Sequence, residues 1–581
     1  MKKILTYFKP YKWQSLLGPL FKLLEATFEL LVPFVVAAIV DNGIANADKS
    51  YVVWACVILA AFGLFGFGFS VLAQYFSARA ATGVCADVRS DLFRKIQSLS
   101  YKDIDKMGEA TMLTRMTGDV DKLQTGINLF LRLFLRSPFI VFGAMICALI
   151  IDLKTFGIFA VTIVALAIVV YAVMLICMPL YKKTQGDLDK VLLSTRENLS
   201  GARVIRAFCM EDAERKQFDE RNNKLNKSSK FVGAIAAITN PLTYALINCA
   251  IIWLIWSGAI RVETGILTTG SVIALYNLMS QILIELIKLA NLIVTVAKAA
   301  ASGNRIEAVL KMQPSLDVMD SQAAEGEKEE KSDEPFIVFD GVSLRYTEGA
   351  DEALENISFT VNKGETIGVI GGTGSGKTTL VNLIPHFYDV SGGQVRVNGK
   401  DVREKDLQPF LRECIGVVPQ KAKLFKGSIR DNLLWGRADA TDEELMAAAR
   451  IAQAEEVILG KGGLDAPVEQ GGKNFSGGQK QRLTVARAVA RNPEILILDD
   501  SSSALDYATD AELRKAIRSL NTTTFIVSQR TSSVRDADKI IVLDDGKAVG
   551  IGTHSELMES CAVYREIYHS QYQDGEEGGA A

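Results

Sequence analysis

The sequence predicts a multidomain chain of two unlike parts, an all-α domain of six long apolar helices followed by an α/β domain. Three observations predict it. Apolar runs at about 16–40, 51–77, 128–151, 155–180, 235–260 and 269–297 are each long enough to cross a hydrocarbon core ~30 Å thick. After Met312 the chain turns to QPSLDVMDSQAAEGEKEEKSDEP, polar and charge-rich as a linker is. From about Pro335 to His569, β-rich runs (FIVFDGVSL, TIGVIG, EILILDD, TFIVSQ, KIIVLDDG) alternate with helical ones, the pattern of an α/β domain. The expected boundaries are a transmembrane domain over 1–312, a linker over 313–334, the α/β domain over 335–570 and a disordered tail over 571–581.

At 581 residues the chain has room for several domains. Its formal net charge of −3 argues against a nucleic-acid partner, which leaves a strong basic bias. The eight cysteines are scattered without a CxxC pair, so neither a zinc site nor a disulfide framework is indicated. MKKILTYFKPYKWQ is basic but lacks an apolar core and cleavage site of the signal-peptide kind. It suits an amphipathic helix lying along the cytoplasmic membrane surface.

Connections near 78–127 and 181–234 are long and rich in Lys and Arg, whereas the other three are short and carry few cations. The positive-inside rule places the long ones, and both chain ends, in the cytoplasm. A second helix running from Tyr51 to about Lys106 would be ~80 Å long, so much of it projects below the bilayer. Loops near Thr111–Asp119 and Phe208–Ala213 would then lie where they can carry a push.

In the α/β domain GGTGSGKT, from Gly371 to Thr378, fits GxxxxGK[ST] between a strand and a helix. Gly371, Gly372, Thr373, Gly374, Ser375 and Gly376 bring backbone N–H groups around a phosphate. Lys377 neutralises its oxygens, Thr378 can ligate Mg²⁺, and Thr379 closes the set of residues expected to bind the nucleotide. Tyr346, about 25 residues upstream, offers a ring to adenine. LILDDSSSALD then delivers Asp499 to the end of a buried strand, where a Mg²⁺-holding carboxylate belongs. The next position usually supplies the base that aligns water; here it is Asp500. NFSGGQKQR puts Ser476, Gly477, Gly478 and Gln479 at a helix start as a second anion nest, which most naturally faces ATP on another copy of the fold.

These motifs together resemble one half of an ABC transporter. Gln420 of VVPQ matches the family's Q-loop, Asp506 of SALD its D-loop, and FSGGQ its signature. Six helices fused ahead of one ATPase domain resemble the type IV exporters, as do RENLSGARVIRAF (Arg196 to Phe208) and VEQGG before the signature. The resemblance implies ATP and Mg²⁺ as cofactors, with Thr378, Gln420 and Asp499 around the metal. It also implies a second half-transporter as partner, each ATP lying between the phosphate loop of one chain and the signature of the other. The implied location is the bacterial plasma membrane, with membrane lipid around the helices and a small amphiphilic substrate.

Two departures matter. Asp500 stands where the family has Glu, withdrawing the carboxylate by roughly 1.5 Å, and a 1 Å misplacement can cost 10²-fold. Gln529 stands at the family's switch histidine and cannot become cationic near neutral pH. With FSGGQ intact, the chain resembles the less active subunit of bacterial heterodimeric multidrug exporters. Its own site would hold nucleotide while Ser476, Gly477, Gly478 and Gln479 serve the partner's. The alternatives are a homodimeric lipid or peptide exporter with Asp500 as working base, or a regulatory subunit that binds ATP without pumping.

Lys22, Glu25 and Glu29 share a face of the first membrane helix, and Gln281, Glu285 and Lys288 share one of the sixth. Intramembrane charge is a functional hypothesis by default. Two readings stand side by side: Lys–Glu neutralisation within each helix, and a cavity in which Glu25, Glu29 and Glu285 favour amphiphilic cations.

Overall fold

The computed structural model describes residues 2–316, 318, 335–347, 349–501 and 503–572. Residues 317 and 319–334 of the expected linker, and the tail from residue 573, therefore lie outside the described residues. The chain divides into two compact units, Met1–Ser98 with Glu109–Met312, and Leu99–Gly108 with Gln313–Ala581.

The first unit is all helix. After a short α1 (Lys2–Thr6) come α2 (Lys12–Ala38) and α3 (Lys49–Gln97). The Asp48 side chain accepts from the Tyr51 N–H and starts α3. Past α4 (Tyr101–Met107), which groups with the second unit, the return leg is α5 (Glu109–Thr114), a π-turn at Arg115–Asp119, α6 (Val120–Leu133) and α7 (Arg136–Ile151). Then follow α8 (Leu153–Ser200), capped by Asp152, the short α9 (Ala202–Ala207), α10 (Glu211–Glu263) and α11 (Thr269–Lys311), capped by Thr268.

By length and apolar composition, five stretches among the described residues qualify as membrane spans: Lys12–Ile44, Lys49–Gln97, Glu109–Ile151, Leu153–Ser200 and Glu211–Glu263. The sixth expected span falls in α11, which has the length but carries Glu285 and Lys288 in its apolar run. Ala274, Leu275, Leu278, Met279 and Ile282 of α11 are nonetheless at most 1 % exposed. They pack with Ala26 and Leu30 of α2, Ile140 and Ala144 of α7, and Phe159 of α8, so α11 is the centre of this unit's core. Small residues let helices close up: a Cβ on Gly126 of α6 would lie 2.1 Å from that of Ala299 of α11.

The second helix ends earlier than its composition suggests. It stops at Gln97, making it 49 residues or ~74 Å long. Ser100 and Asp103 then form a reciprocal capping box that starts α4, and Gly108 at φ 77° ends it. The turn thus falls at residues 98–108, and Thr111–Asp119, expected as a loop, is helical. The Phe208–Ala213 turn is where the sequence puts it, between α9 and α10.

In the second unit β1 (Ile337–Leu344), β2 (Leu354–Val361), β4 (Gly392–Val397) and β5 (Lys400–Asp401) form one antiparallel sheet in the order β2-β1-β4-β5. The six-stranded sheet takes β3 (Thr366–Gly371), β6 (Ile415–Val418), β9 (Ile495–Asp499), β10 (Thr523–Val527), β11 (Lys539–Asp544) and β12 (Lys547–Gly552) in the order β12-β11-β3-β10-β9-β6. A two-stranded ribbon pairs β7 (Gly427–Ser428) with β8 (Pro467–Val468). Every residue of β3, β9 and β10 is buried, which is why they read as unbroken apolar runs. β10 lies parallel to and between β3 and β9, with Val527 level with Val369 and Asp499. The carboxyl ends of these strands, where α/β sheets place their ligands, therefore bring the loop before α12 (Lys377–Asn382) beside Asp499 and Gln529.

Candidate nucleotide site

A cavity of about 310 Å³ opens at these strand ends, lined by Tyr346, Ala353, Thr373 to Thr379, Gln420, Asp499, Asp500, Val527 and Gln529. Gly371 and Gly372 are not in its lining but form the loop's first turn. A Cβ on Gly371 would lie 2.1 Å from the Leu543 carbonyl oxygen, and Gly376, at φ 96°, would bring one to 2.7 Å from that of Ala353. Lys377 folds back over the loop and donates to the carbonyls of Gly371 at 2.9 Å and Gly372 at 2.6 Å. Burial lowers its pKa, while the nearby Asp500 and Asp499 act to raise it. The Ser375 hydroxyl is buried without a hydrogen-bond partner, a donor held ready for an oxygen that the protein does not supply.

The Thr378 hydroxyl lies 2.9 and 3.0 Å from the two carboxylate oxygens of Asp499. Asp499 is 6 % exposed, and burial, helped by the Asp500 charge, raises its pKa against the Thr378 hydrogen bond and Lys377. A divalent cation would relieve such a carboxylate, so this pair fits Mg²⁺. Gln420 touches neither; its amide donates to Asp500 at 3.3 Å. The Tyr346 hydroxyl pairs with Thr379 at 2.9 Å, and the residue as a whole is 38 % exposed at the cavity edge.

Asp500 sits in the left-handed region at φ 48°, which Asp tolerates better than most residues. Its N–H donates to Val527 at 3.0 Å and its carbonyl accepts from the Ser503 hydroxyl at 2.9 Å, which fixes where the short side chain begins. Gln529 is reached through Ser528, whose N–H donates to Val369 at 3.0 Å, and its carbonyl accepts from Gln571 at 2.7 Å. The histidines lie elsewhere: His386 bonds Asp389 and Gln408, His554 bonds Tyr564, and His569 stands beside Tyr568.

Ser476 and Gln479 form a reciprocal capping box on the Gly477–Ala490 helix, with Ser476 N–H donating to Gln479 Oε1 at 3.0 Å. A Cβ on Gly478 would lie 2.9 Å from the Ala504 carbonyl, whereas Gly477 faces open space. None of residues 476–479 lines the cavity of its own chain. Asp506 caps the Tyr507–Arg518 helix through Thr509. Tyr388 escaped the sequence reading: it packs edge-on against Tyr346, and HFYDV gives no sign of that beyond an aromatic after the loop helix.

In the first unit the three intramembrane carboxylates are all paired. Lys22 donates to Glu25 at 2.5 Å and to Ser70 at 3.3 Å. Arg136 spans the other two, donating to Glu285 at 2.5 Å and Glu29 at 2.6 Å, and Ser137 and Lys288 each bond Glu285 at 2.8 Å. Pairing within one helix accounts for Glu25 and part of Glu285. The link across α2, α7 and α11 runs through Arg136, which the sequence hides at the head of an apolar run. At the outer end Asp41, in the π-turn Ile39–Ile44 that follows α2, accepts from the Gly270 N–H at 2.8 Å and so joins that turn to the start of α11.

An ATPase-type phosphate site in one unit and long membrane-length helices in the other define an ATP-driven, multi-pass membrane transporter with a cytoplasmic ATPase domain. Comparison with known proteins bears this out. Residues 15–286 match the ABC transporter transmembrane region and residues 354–503 the ABC transporter domain. The chain is 35 % identical to the uncharacterized ABC transporter ATP-binding protein YfiB of Bacillus subtilis, over 100 % of this chain and 99 % of that one. It is 29 % identical to the putative multidrug export ATP-binding/permease protein YgaD of the same species, over 98 % and 99 %. A solved bacterial Atm1-family ABC exporter with ATP bound shares the fold, with a TM-score of 0.81 at 22 % identity, over 97 % of this chain and 99 % of that one. The chain belongs to the ABC transporter family, with the architecture of its type IV exporters.

Proposed function

We propose that this chain is one half of a heterodimeric exporter of amphiphilic compounds, holding ATP in its own site and lending its signature segment to the partner's. The carrying observation is a complete phosphate-binding apparatus that shares one cavity with Asp500 and Gln529. Lys377 and the Ser375 hydroxyl would hold phosphate oxygens, Tyr346 the base, and Thr378 with Asp499 a Mg²⁺ that screens phosphate charge when bound. Gln420 would reach the metal only by leaving Asp500. Asp500 starts from a fixed backbone and falls short of the water a longer Glu would align, and general-base help is typically worth ~10²–10⁴. Gln529 donates a hydrogen bond but no charge. Binding without brisk turnover follows.

Ser476 and Gly477 are exposed and lie outside their own cavity, which suits service to another chain's ATP. Closure of the two ATPase domains would then turn the membrane cavity outward, and hydrolysis at the partner's site would reset it. Purified alone, the chain should bind ATP yet hydrolyse it at about 1 % or less of the rate of the complex, from the general-base term alone. Brisk Mg²⁺-dependent turnover by a homodimer would replace this reading with the homodimeric one.

For the substrate, Glu29 is the open carboxylate of the network, its side chain 40 % exposed against 17 % for Glu25 and 3 % for Glu285. It would favour a cationic amphiphile, in keeping with the multidrug name of one relative. Glu29→Gln should then cut transport of cationic dyes while sparing neutral ones; equal loss of both would remove Glu29 from the substrate path.

A further inference from the structure

We propose that Gln571 is a positioning residue for the nucleotide site. Its side-chain amide holds the backbone from which Gln529 reaches the cavity, and so sets how well the chain tells ATP from ADP. The proposal rests on reading the cavity as an ATP site. Both residues belong to the second unit.

Gln529 lines the cavity from the turn between β10 and a short helix at Thr531–Val534. On one side the turn is tied to the sheet: the Ser528 N–H donates to the Val369 carbonyl at 3.0 Å, and the Ser528 hydroxyl accepts from the Arg530 N–H at 3.0 Å. On the other side a helix begins, and a helix leaves its first N–H groups without partners. Arg530, at the cap position, makes no side-chain cap bond. Thr531 is 0 % exposed, so its donors need an acceptor from the protein. Gln571 supplies it. Its Oε1 accepts from the Thr531 N–H at 2.8 Å and from the Thr531 hydroxyl at 3.0 Å, while its Nε2 donates to the Gln529 carbonyl at 2.7 Å. The orientation of the amide is forced, because a backbone N–H only donates and a carbonyl only accepts.

Gln571 closes the helix Ala562–Gln571, which is anchored in its own right. Tyr564 of that helix is 0 % exposed in the core that holds Val534, Ile540 and Val542, and its hydroxyl meets His554 Nδ1 at 2.8 Å. A residue 42 positions away in sequence therefore pins the peptide plane that follows Gln529. With Ser528 pinned as well, the Gln529 side chain has only its rotamers to search. Releasing the plane spreads that search and weakens the hold on whatever oxygen Gln529 meets. That oxygen belongs to the γ-phosphate, the part of ATP that ADP lacks. Lys377, Ser375 and Thr378 stand on the phosphate loop, not on this turn, and grip both nucleotides.

The test compares ATP with ADP, each with Mg²⁺, by equilibrium affinity on the full-length chain in nanodiscs. Gln571→Glu keeps an acceptor for Thr531 but sets a carboxylate oxygen against the Gln529 carbonyl, so the turn must shift there alone. It should weaken ATP by roughly three- to tenfold, the range of one lost hydrogen bond, and change ADP by less than about twofold. Gln571→Leu, which removes all three bonds, should lower the ATP-to-ADP preference at least as far. Gln529→Ala should lower it too, and adding Gln571→Glu to that variant should weaken ATP no further. Equal weakening of ATP and ADP, an unchanged preference in either Gln571 variant, or an effect that adds to Gln529→Ala would each overturn the positioning role. A wild-type chain that binds neither nucleotide would instead overturn the ATP-site reading, and the positioning role with it.

Discussion

Arg136→Gln should destabilise the membrane unit more than almost any other single substitution there. The Arg136 side chain is 7 % exposed and donates to Glu29 and Glu285, and the Glu285 side chain is only 3 % exposed. Charge-assisted hydrogen bonds contribute ~1.5–3 kcal/mol each, and breaking a buried pair by removing one partner costs ~3–5 kcal/mol because it strands the other charge. Glu285 keeps Lys288 and Ser137, so the cost belongs at the lower end, ~3 kcal/mol. Large membrane proteins unfold irreversibly, so the assay is thermal inactivation in detergent, followed as loss of the monodisperse peak. Even half of that energy expressed in the unfolding rate shortens the half-life by about tenfold. The double substitution Arg136→Met with Glu285→Met should recover much of the loss, since apolar residues replace buried pairs at little cost. An Arg136→Gln half-life within twofold of wild type would refute the claim that this residue ties α2, α7 and α11.

Gly371→Ala should abolish nucleotide binding, because its Cβ would meet the Leu543 carbonyl at 2.1 Å and the loop must open; retention of wild-type ATP affinity in a displacement assay would contradict this. Asp500→Glu with Gln529→His should raise turnover at this chain's own site by about tenfold, short of the full general-base factor because the partner's signature also shapes the site. Single-turnover assays with the partner's catalytic Glu removed would show it, and no gain would place the limit outside Asp500 and Gln529. Burial raises the pKa of Asp499, so the carboxylate takes up its proton above the usual 3.8 as pH falls. Its proton-linked stability is present at low pH and is lost as pH rises through the folded value, whereas Mg²⁺ needs the ionised form and shows the opposite trend. Mg²⁺-dependent ATP affinity should therefore begin to fall on acidification at a pH above 3.8, and Asp499→Asn should lack that step in binding measured against pH.

The phosphate site was legible because its chemistry is local: Gly371 to Thr378 is one contiguous turn, and a buried run ending in Asp499 can be read from four apolar residues. What escaped depends on residues far apart in sequence. Arg136 begins an apolar run, and only the fold brings it to Glu29 and Glu285, 107 and 149 positions away. The end of α3 at Gln97 was missed for another reason, since Ser100 and Asp103 spell a capping signature inside a stretch whose amphipathic period continues on both sides. α11 shows how burial against protein, rather than lipid, makes room for charge in a membrane-length helix.

The central claim is the division of labour between this chain's cavity and its signature segment. ATPase of the complex with wild-type partner should be measured for Ser476→Arg, Asp500→Ala and Lys377→Ala. Ser476→Arg replaces the exposed cap of the Gly477–Ala490 helix with a bulky cation, and turnover should fall by ~10²-fold or more, as when a preorganised donor is removed from charge in the transition state. Lys377→Ala should be intermediate, because it weakens closure without touching the productive chemistry. Asp500→Ala should stay within about twofold of wild type, since it removes a base from a site that turns over little. An Asp500→Ala loss as deep as that of Ser476→Arg would contradict the account and restore Asp500 as a working catalytic base.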